Sequence, residues 1–273
     1  MLPIAVGAAG ALAAGGLAWS LFESQWVELV ERDVPVDGLP SELHGLRVLH
    51  ISDFHLGTVS FNARAVRRAL DWAAQRELDL VAVTGDLVSR RRGEHTLRAV
   101  LAKLDSRYGT FAVLGNHDIA ETRDPFSNAA DLTGIERMEA RLLEQDSAEL
   151  EIRGRRVQLV GADPRRRPEP VAQLADPSAD LRILLTHFPD AVKGLPPGAF
   201  HLILAGHLHG GQICIPAPGG KIRLEHLRAA YWEGLFDLPV GMLHVSRGLG
   251  TSFVPFRFFA RPDAALLTLT ARE

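Results

Sequence analysis

Five short apolar runs in this chain end in side chains that can hold a metal ion or move a proton. Residues 47–52 lead into Asp53 and His55, and residues 78–84 into Gly85 and Asp86. Residues 110–114 lead into Asn116, His117 and Asp118, residues 181–186 into His187, and residues 200–205 into His207 and His209. Carboxylate oxygen and imidazole nitrogen together suit Mn, Fe and Zn. The single cysteine, Cys214, stands outside this set, which excludes a thiolate zinc knot and any internal disulfide. Leaving Asp118 aside, eight candidate donors are too many for one tetrahedral ion and suit two, held about 3.5–4 Å apart by a shared carboxylate. Each fragment has a plainer meaning alone. A histidine at a strand end is commonly a hydrogen-bonded surface residue, and Gly-Asp is commonly a turn. Their recurrence at five strand ends is what carries the metal reading.

These donors need elements to position them. The runs at 47–52, 78–84 and 110–114 read as buried strands separated by helices at 63–75 and 94–104, whose apolar residues recur at helical spacing. Alternation of this kind indicates βαβ units and a parallel or mixed sheet, which binds ligands beyond its strands' carboxyl ends. The second half predicts a helix at 135–145 and a hairpin of 149–152 with 156–161 around Gly154. Strands follow at 181–186, 200–205, 241–246 and 265–270. The expected organisation is an apolar segment at 1–22, a connector at 23–45 and one catalytic domain of two sheets at 46–273.

The chain has 273 residues, with 30 Lys+Arg against 33 Asp+Glu and a net charge of −3. That balance argues against a nucleic-acid binder, whose domain usually has a pI above about 9. Apolar residues at 47% and charged residues at 23% exclude wholesale disorder. Residues 1–22 carry no charged side chain. As a helix they would span about 33 Å, enough for a hydrocarbon core of about 30 Å. Alanine and glycine dominate the segment, with Trp19 and Trp26 near its far end, where interfacial aromatics belong. A membrane anchor is expected. The alternatives are an export signal that is cleaved, against which stands the lack of a basic residue before the apolar run, and a buried helix. The side of the membrane is left open by the acidic flank.

The series Asp53-x-His55, Gly85-Asp86, Gly115-Asn116-His117-Asp118, His187 and Gly206-His207-x-His209 resembles the calcineurin-like metallophosphoesterase superfamily. The longer run from Gly206 to Gln212, with Arg247-Gly248-Leu249-Gly250-Thr251-Ser252, is similar to a bacterial branch. That branch often has an amino-terminal membrane segment or export signal, and some of its members hydrolyse UDP-2,3-diacylglucosamine. The resemblance implies an α/β fold in which two mixed β-sheets form a sandwich flanked by helices, preceded here by an amino-terminal apolar helix. It implies two divalent metal ions, Mn, Fe or Zn. Asp53, His55 and His209 would hold the first, Asn116, His187 and His207 the second, and Asp86 would bridge them. His117 would face the phosphate as the catalytic acid.

The expected reaction is hydrolysis of a phosphodiester or pyrophosphate on a membrane-proximal, lipid-linked substrate. A soluble phosphodiesterase acting on nucleotides or cell-wall polymers is the second reading. An inactive metal-binding scaffold is disfavoured because every donor position is occupied. No nucleic acid and no protein partner is expected. Ser89 stands where protein phosphatases of the superfamily have an Asp that pairs with the catalytic His, which argues against that activity and leaves Asp118 as a candidate helper. Arg247 and Asp118 are the candidate substrate-binding residues. Runs of arginine at 90–92 and 165–167 read as solvated loops or as sites for a second phosphate or an anionic leaflet. Phe253, Phe256, Phe258 and Phe259 read first as core, with an acyl-chain or membrane-contacting surface as the alternative.

Overall fold

The computed structural model describes residues 2–128, 140–166 and 169–272, with side chains from residue 10 onward except at Glu169. The chain runs α1 (Leu2–Glu23), β1 (Glu28–Val36), β2 (Arg47–Ile51), α2 (Asn62–Ala73), β3 (Leu80–Thr84), α3 (Glu94–Leu101) and β4 (Thr110–Val113). It continues through β5 (Ala140–Leu142), β6 (Ser147–Ile152), β7 (Arg155–Gly161), β8 (Leu181–Leu185) and β9 (Leu202–Ala205). The last elements are β10 (Cys214–Ala217), β11 (Gly220–Arg223), β12 (Gly234–Leu238), β13 (Gly241–Val245) and β14 (Asp263–Ala271).

Two six-stranded mixed sheets result, in the orders β1-β14-β2-β3-β4-β5 and β12-β13-β9-β8-β7-β6, with β10 and β11 as a separate hairpin. Their inner faces meet in one core, where Val48, Leu80, Ala82 and Val113 of the first sheet join Leu159, Ile183, Leu202 and Leu204 of the second. Because strand side chains alternate between faces, Leu49, Ile51, Val81 and Val83 point the other way, onto Val66 and Leu70 of α2 and Leu97 and Leu101 of α3. Every residue of β3 is therefore buried, as expected of a strand covered on both sides.

Strands β2, β3 and β4 are parallel neighbours in one sheet, and β8 and β9 are parallel neighbours in the other. All five deliver their carboxyl ends to the same rim, which straddles the sandwich.

Three expectations are corrected. The 23–45 segment contains β1, which pairs in parallel with β14 along nine residues and closes the edge of the first sheet. Its centre, Glu31–Asp33, is exposed, so the strand lacks an uninterrupted apolar signature. Of the helix expected at 135–145, residues 140–142 instead form β5, drawn into the sheet beside β4; residues 135–139 lie outside the described residues. None of Phe253, Phe256, Phe258 and Phe259 is buried, so the core reading of that cluster fails.

Helix α1 exposes Leu12, Leu17, Trp19 and Phe22. Its end docks on the loop before β14: Glu23 Oε1 accepts the Ala260 N–H at 2.6 Å, and Ser20 O accepts the Arg257 N–H at 3.2 Å. Among the described residues no helix is long and apolar enough to cross a membrane.

Candidate dinuclear metal centre

The rim is built from turns that force unusual backbone. Asp53, His55, Asp86, His207 and His209 all have positive φ, between 45° and 77°. Asp and His tolerate the left-handed region better than most residues. Even so, such conformations cost of order 1–3 kcal/mol each, and they concentrate where function requires them. Two glycines make room for the carboxylates. A Cβ on Gly115 would fall 2.1 Å from Asp86 Oδ1, and one on Gly206 would fall 2.4 Å from Asp53 Oδ2.

Two donor clusters share Asp86. Asp53, His55, Asp86 and His209 place ligand atoms within 4.8 Å of one another, and so do Asp86, His187 and His207. Asp86 Oδ2 is the common point, 3.5 Å from His55 Nε2 and 3.3 Å from His187 Nε2. His209 Nε2 lies 3.5 Å from Asp53 Oδ1 and 3.1 Å from His55 Nε2. His187 Nε2 lies 3.1 Å from Asn116 Oδ1 and 3.2 Å from His207 Nδ1. All seven expected ligands therefore converge, four around one point and four around another, counting Asp86 twice.

Charge and hydrogen bonding fit two cations. Burial holds His55 and His207 down to about 3 and His209 well below its ordinary value, so these rings are neutral and keep a lone pair for a metal. Burial also lifts Asp53 to about 6. At His187 burial works against the charged form, but Asp86 and Asp53 outweigh it and raise the ring to about 9. The pocket thus draws positive charge to its buried carboxylates, the condition two divalent ions satisfy. Outer contacts aim the rings, as is usual for metal-binding histidines. His187 Nδ1–H donates to Thr84 O at 2.8 Å, which leaves Nε2 free, and Ser89 Oγ bonds His55 Nδ1 at 2.9 Å.

His117 sits apart from the ligand clusters. Its backbone N–H donates to Asp86 Oδ1 at 2.8 Å, while its ring Nε2 stands 4.0 Å from Asp86 Oδ2 and 3.1 Å from Thr122 Oγ1. Ser127 Oγ bonds Nδ1 at 3.1 Å. A cavity of about 280 Å³ opens over the centre, lined by Asp86, Asn116, His117 and His207, with Arg123 and Phe253 at its walls.

The two expected substrate-binding residues are engaged elsewhere. Asp118 is buried, and its carboxylate accepts the N–H groups of Leu87, Val88 and Gly115 at 2.8–3.1 Å. Burial and the nearby Asp86 raise it to about 7. It braces the turns that carry Asp86 and His117 and does not touch the His117 ring. Arg247 donates to Glu28 at 2.9 Å and to Asp263 at 3.3 Å, tying β1 to β14. Arg165 pairs with Asp163 and Glu144; Arg167 lies outside the described residues.

Several contributors had no visible signal in the sequence. Ser127 and Thr122 follow His117 in an irregular loop without periodicity. Arg257 is fully buried and donates to the carbonyls of His209, Gly248, Gly250, Ala260 and Arg247, with its guanidinium 3.3 Å from His209 Nδ1. A lone arginine between phenylalanines was the available clue.

A two-sheet sandwich with this donor set at its rim defines a dinuclear metallohydrolase. The chain matches the family model for calcineurin-like phosphoesterases over residues 46–211, and it belongs to that family. Among curated proteins it is 29% identical to the uncharacterized metallophosphoesterase YkuE of Bacillus subtilis, across 96% of this chain and 93% of that one. It is 27% identical to YkoQ of the same organism, across 83% and 84%. It is also 27% identical to the UDP-2,3-diacylglucosamine pyrophosphatase LpxG of Chlamydia trachomatis, again across 83% and 84%. The protein is accordingly a phosphoester hydrolase that uses two divalent metals.

Proposed function

We propose that this hydrolase cleaves a phosphodiester or pyrophosphate bond in a lipid-linked substrate at a membrane surface, with UDP-2,3-diacylglucosamine as the leading candidate. The observation that carries the hydrolase chemistry is the pair of donor clusters meeting at Asp86 Oδ2 with His117 beside them and outside both. Two divalent ions, when bound, neutralise phosphate charge and lower the pKa of a coordinated water toward about 7. The chain's own residues do the rest. Asp53, His55 and His209 hold one position, Asn116, His187 and His207 the other, and Asp86 both. Asn116 contributes a neutral amide, which adds no charge to repel the substrate. His117, aimed by Ser127 and Thr122, presents its ring to the cavity, where it stabilises the phosphoryl oxygens and gives a proton to the leaving oxygen.

The lipid-linked part of the reading is supported by the similarity to LpxG and by the exposed apolar side chains of α1. We place the chain at a membrane through residues 1–22. The test is a panel of UDP-2,3-diacylglucosamine, cyclic nucleotides and glycerophosphodiesters with the Mn-loaded full chain, followed by ³¹P NMR. Preferred turnover of the lipid-linked pyrophosphate is expected. Preferred turnover of the soluble diesters overturns the lipid reading. Liposome co-sedimentation tests the membrane reading: Leu12→Glu with Leu17→Glu is expected to release the chain into the supernatant, and equal sedimentation of both proteins refutes the role of α1.

A further inference from the structure

We propose that the cleft beside the metal centre, walled by Val59, Phe126, Phe253 and Val254, binds an alkyl or acyl chain of the substrate. The inference rests on the phosphoester-hydrolase reading and assigns a place to the apolar part of the molecule. The cleft measures about 380 Å³, within the ordinary range for small-molecule sites. Four loops form it: those following His55, Asp86 and His117, and the one joining β13 to β14. Ser252 and Phe253 line both this cleft and the cavity over the metals, so the two spaces adjoin.

The lining is apolar where water reaches it. Val59 is 84% exposed, Phe126 53% and Phe253 43%. Three large apolar side chains left in water around one concavity mark a binding surface. The walls are also held in place. Asp124 is buried, and its carboxylate accepts the N–H of Phe126 at 2.8 Å and of Phe253 at 3.0 Å, which ties two walls together. The binding surface is thereby preorganised, which lowers the ordering cost of a bound chain.

Arg90 and Arg92 complete the lining. Their Nε groups donate to Phe126 O and Gly57 O, and their terminal nitrogens have no hydrogen bond or ion pair among the described residues. An apolar wall beside two uncommitted guanidinium ends complements an amphiphile with an anionic group next to its chain. A second cavity of about 700 Å³, lined by Asp190, Lys193, His226 and Arg228 together with the exposed Leu224 and Leu227, adjoins the metal centre at His207. The loop that carries Phe253 and Val254 also receives the end of α1, through Arg257 N–H and Ser20 O.

The test uses the Mn-loaded full chain and p-nitrophenyl phosphodiesters whose second arm is an n-alkyl chain from methyl to octyl, all kept monomeric. KM is expected to fall about two- to fourfold per added methylene until the cleft is filled, with kcat little changed. In Val59→Asp and in Phe126→Ser, the octyl-to-methyl ratio of kcat/KM is expected to drop at least tenfold. Octylphosphonate and methylphosphonate, compared by calorimetry, should show the same chain dependence without turnover. A KM independent of chain length in the native protein, or an unchanged ratio in both variants, overturns the inference. Failure to hydrolyse any diester refutes the hydrolase reading instead, and the phosphonate pair then decides on the cleft.

Discussion

The Ser127 hydroxyl lies 3.1 Å from Nδ1 of His117 and 3.3 Å from the carbonyl of Ser89, while the Ser89 hydroxyl bonds Nδ1 of the metal-site residue His55 at 2.9 Å. Ser89 thus serves both halves of the centre, aiming a ligand with its side chain and seating the partner of His117 with its backbone. At the position where protein phosphatases of the family have an aspartate, Ser89 offers its carbonyl to Ser127 and its hydroxyl to His55. Nδ1 of His117 is held by a hydroxyl, and the buried Asp124 acts on the ring only through its charge.

His117→Ala is expected to lower kcat on a phosphodiester by roughly 10²–10⁴-fold, the usual contribution of a positioned acid. Metal content should remain at two ions per chain by elemental analysis, because the ring belongs to neither donor cluster. Loss of metal together with activity would reassign His117 as a ligand.

Ser127→Ala should cost about tenfold in kcat on a diester with an alkyl leaving group and much less with p-nitrophenolate, which leaves without protonation. Ser127→Thr should restore most of the difference. An equal loss on both leaving groups would reduce Ser127 to a structural role.

Gly115→Ala should disrupt the centre more than most ligand-neighbour changes, because its Cβ would fall 2.1 Å from Asp86 Oδ1 and 2.4 Å from the Asp86 backbone N. Metal occupancy is expected to fall below one ion per chain at micromolar Mn, with a loss of activity of at least about 10²-fold. Full occupancy in this variant would mean that the Asp86 turn can yield.

Arg257→Met should destabilise the protein by about 3 kcal/mol or more, since it strands several buried carbonyls that the guanidinium now satisfies. For a chain of this size that corresponds to a fall in Tm of roughly 6–12 °C. Differential scanning calorimetry of the Mn-loaded protein measures it, and a shift under about 2 °C would contradict the packing described.

His50 and His244 meet between the sheets with their Nδ1 atoms 2.8 Å apart. Burial lowers His244 to about 4 and His50 well below its ordinary value, so both are neutral in the fold. Unfolding below about pH 6.5 lets them take up protons. Stability from this pair is therefore full above about pH 6.5 and lost as pH falls toward 4, at up to about 1.4 kcal/mol per pH unit per proton. Urea unfolding of His244→Asn should show a shallower pH dependence than the native protein across that interval, and parallel curves would exclude the pair as a source of acid lability.

Much of this was legible in the chain alone. The runs at 47–52, 78–84 and 110–114 become β2, β3 and β4 nearly residue for residue, because strands buried on both faces must be continuously apolar. Helices α2 and α3 were legible for the same kind of reason, through a single apolar stripe facing the sheet. Strand β1 was not, since an edge strand needs only part of one face buried and Glu31–Asp33 face water. Residues 140–142 were misread because three residues follow no periodicity of their own and pair only where β4 presents a free edge.

The candidate metal ligands were legible from residue type and place: Asp, Asn and His immediately beyond apolar runs, with glycines where the carboxylates crowd the backbone. Which second partner aims each ring was decided only in three dimensions. Ser127 reaches His117 across a loop, Asp118 binds three backbone N–H groups, Arg247 is taken by Glu28 at the opposite end of the sequence, and Arg257 joins the carbonyl of His209 to those of Arg247, Gly248, Gly250 and Ala260. Short-range pattern records what a residue can do and which face it must bury. Contacts between residues tens to hundreds of positions apart depend on how two sheets are stacked, and that stacking is set by the summed burial of the whole core, which no local pattern encodes.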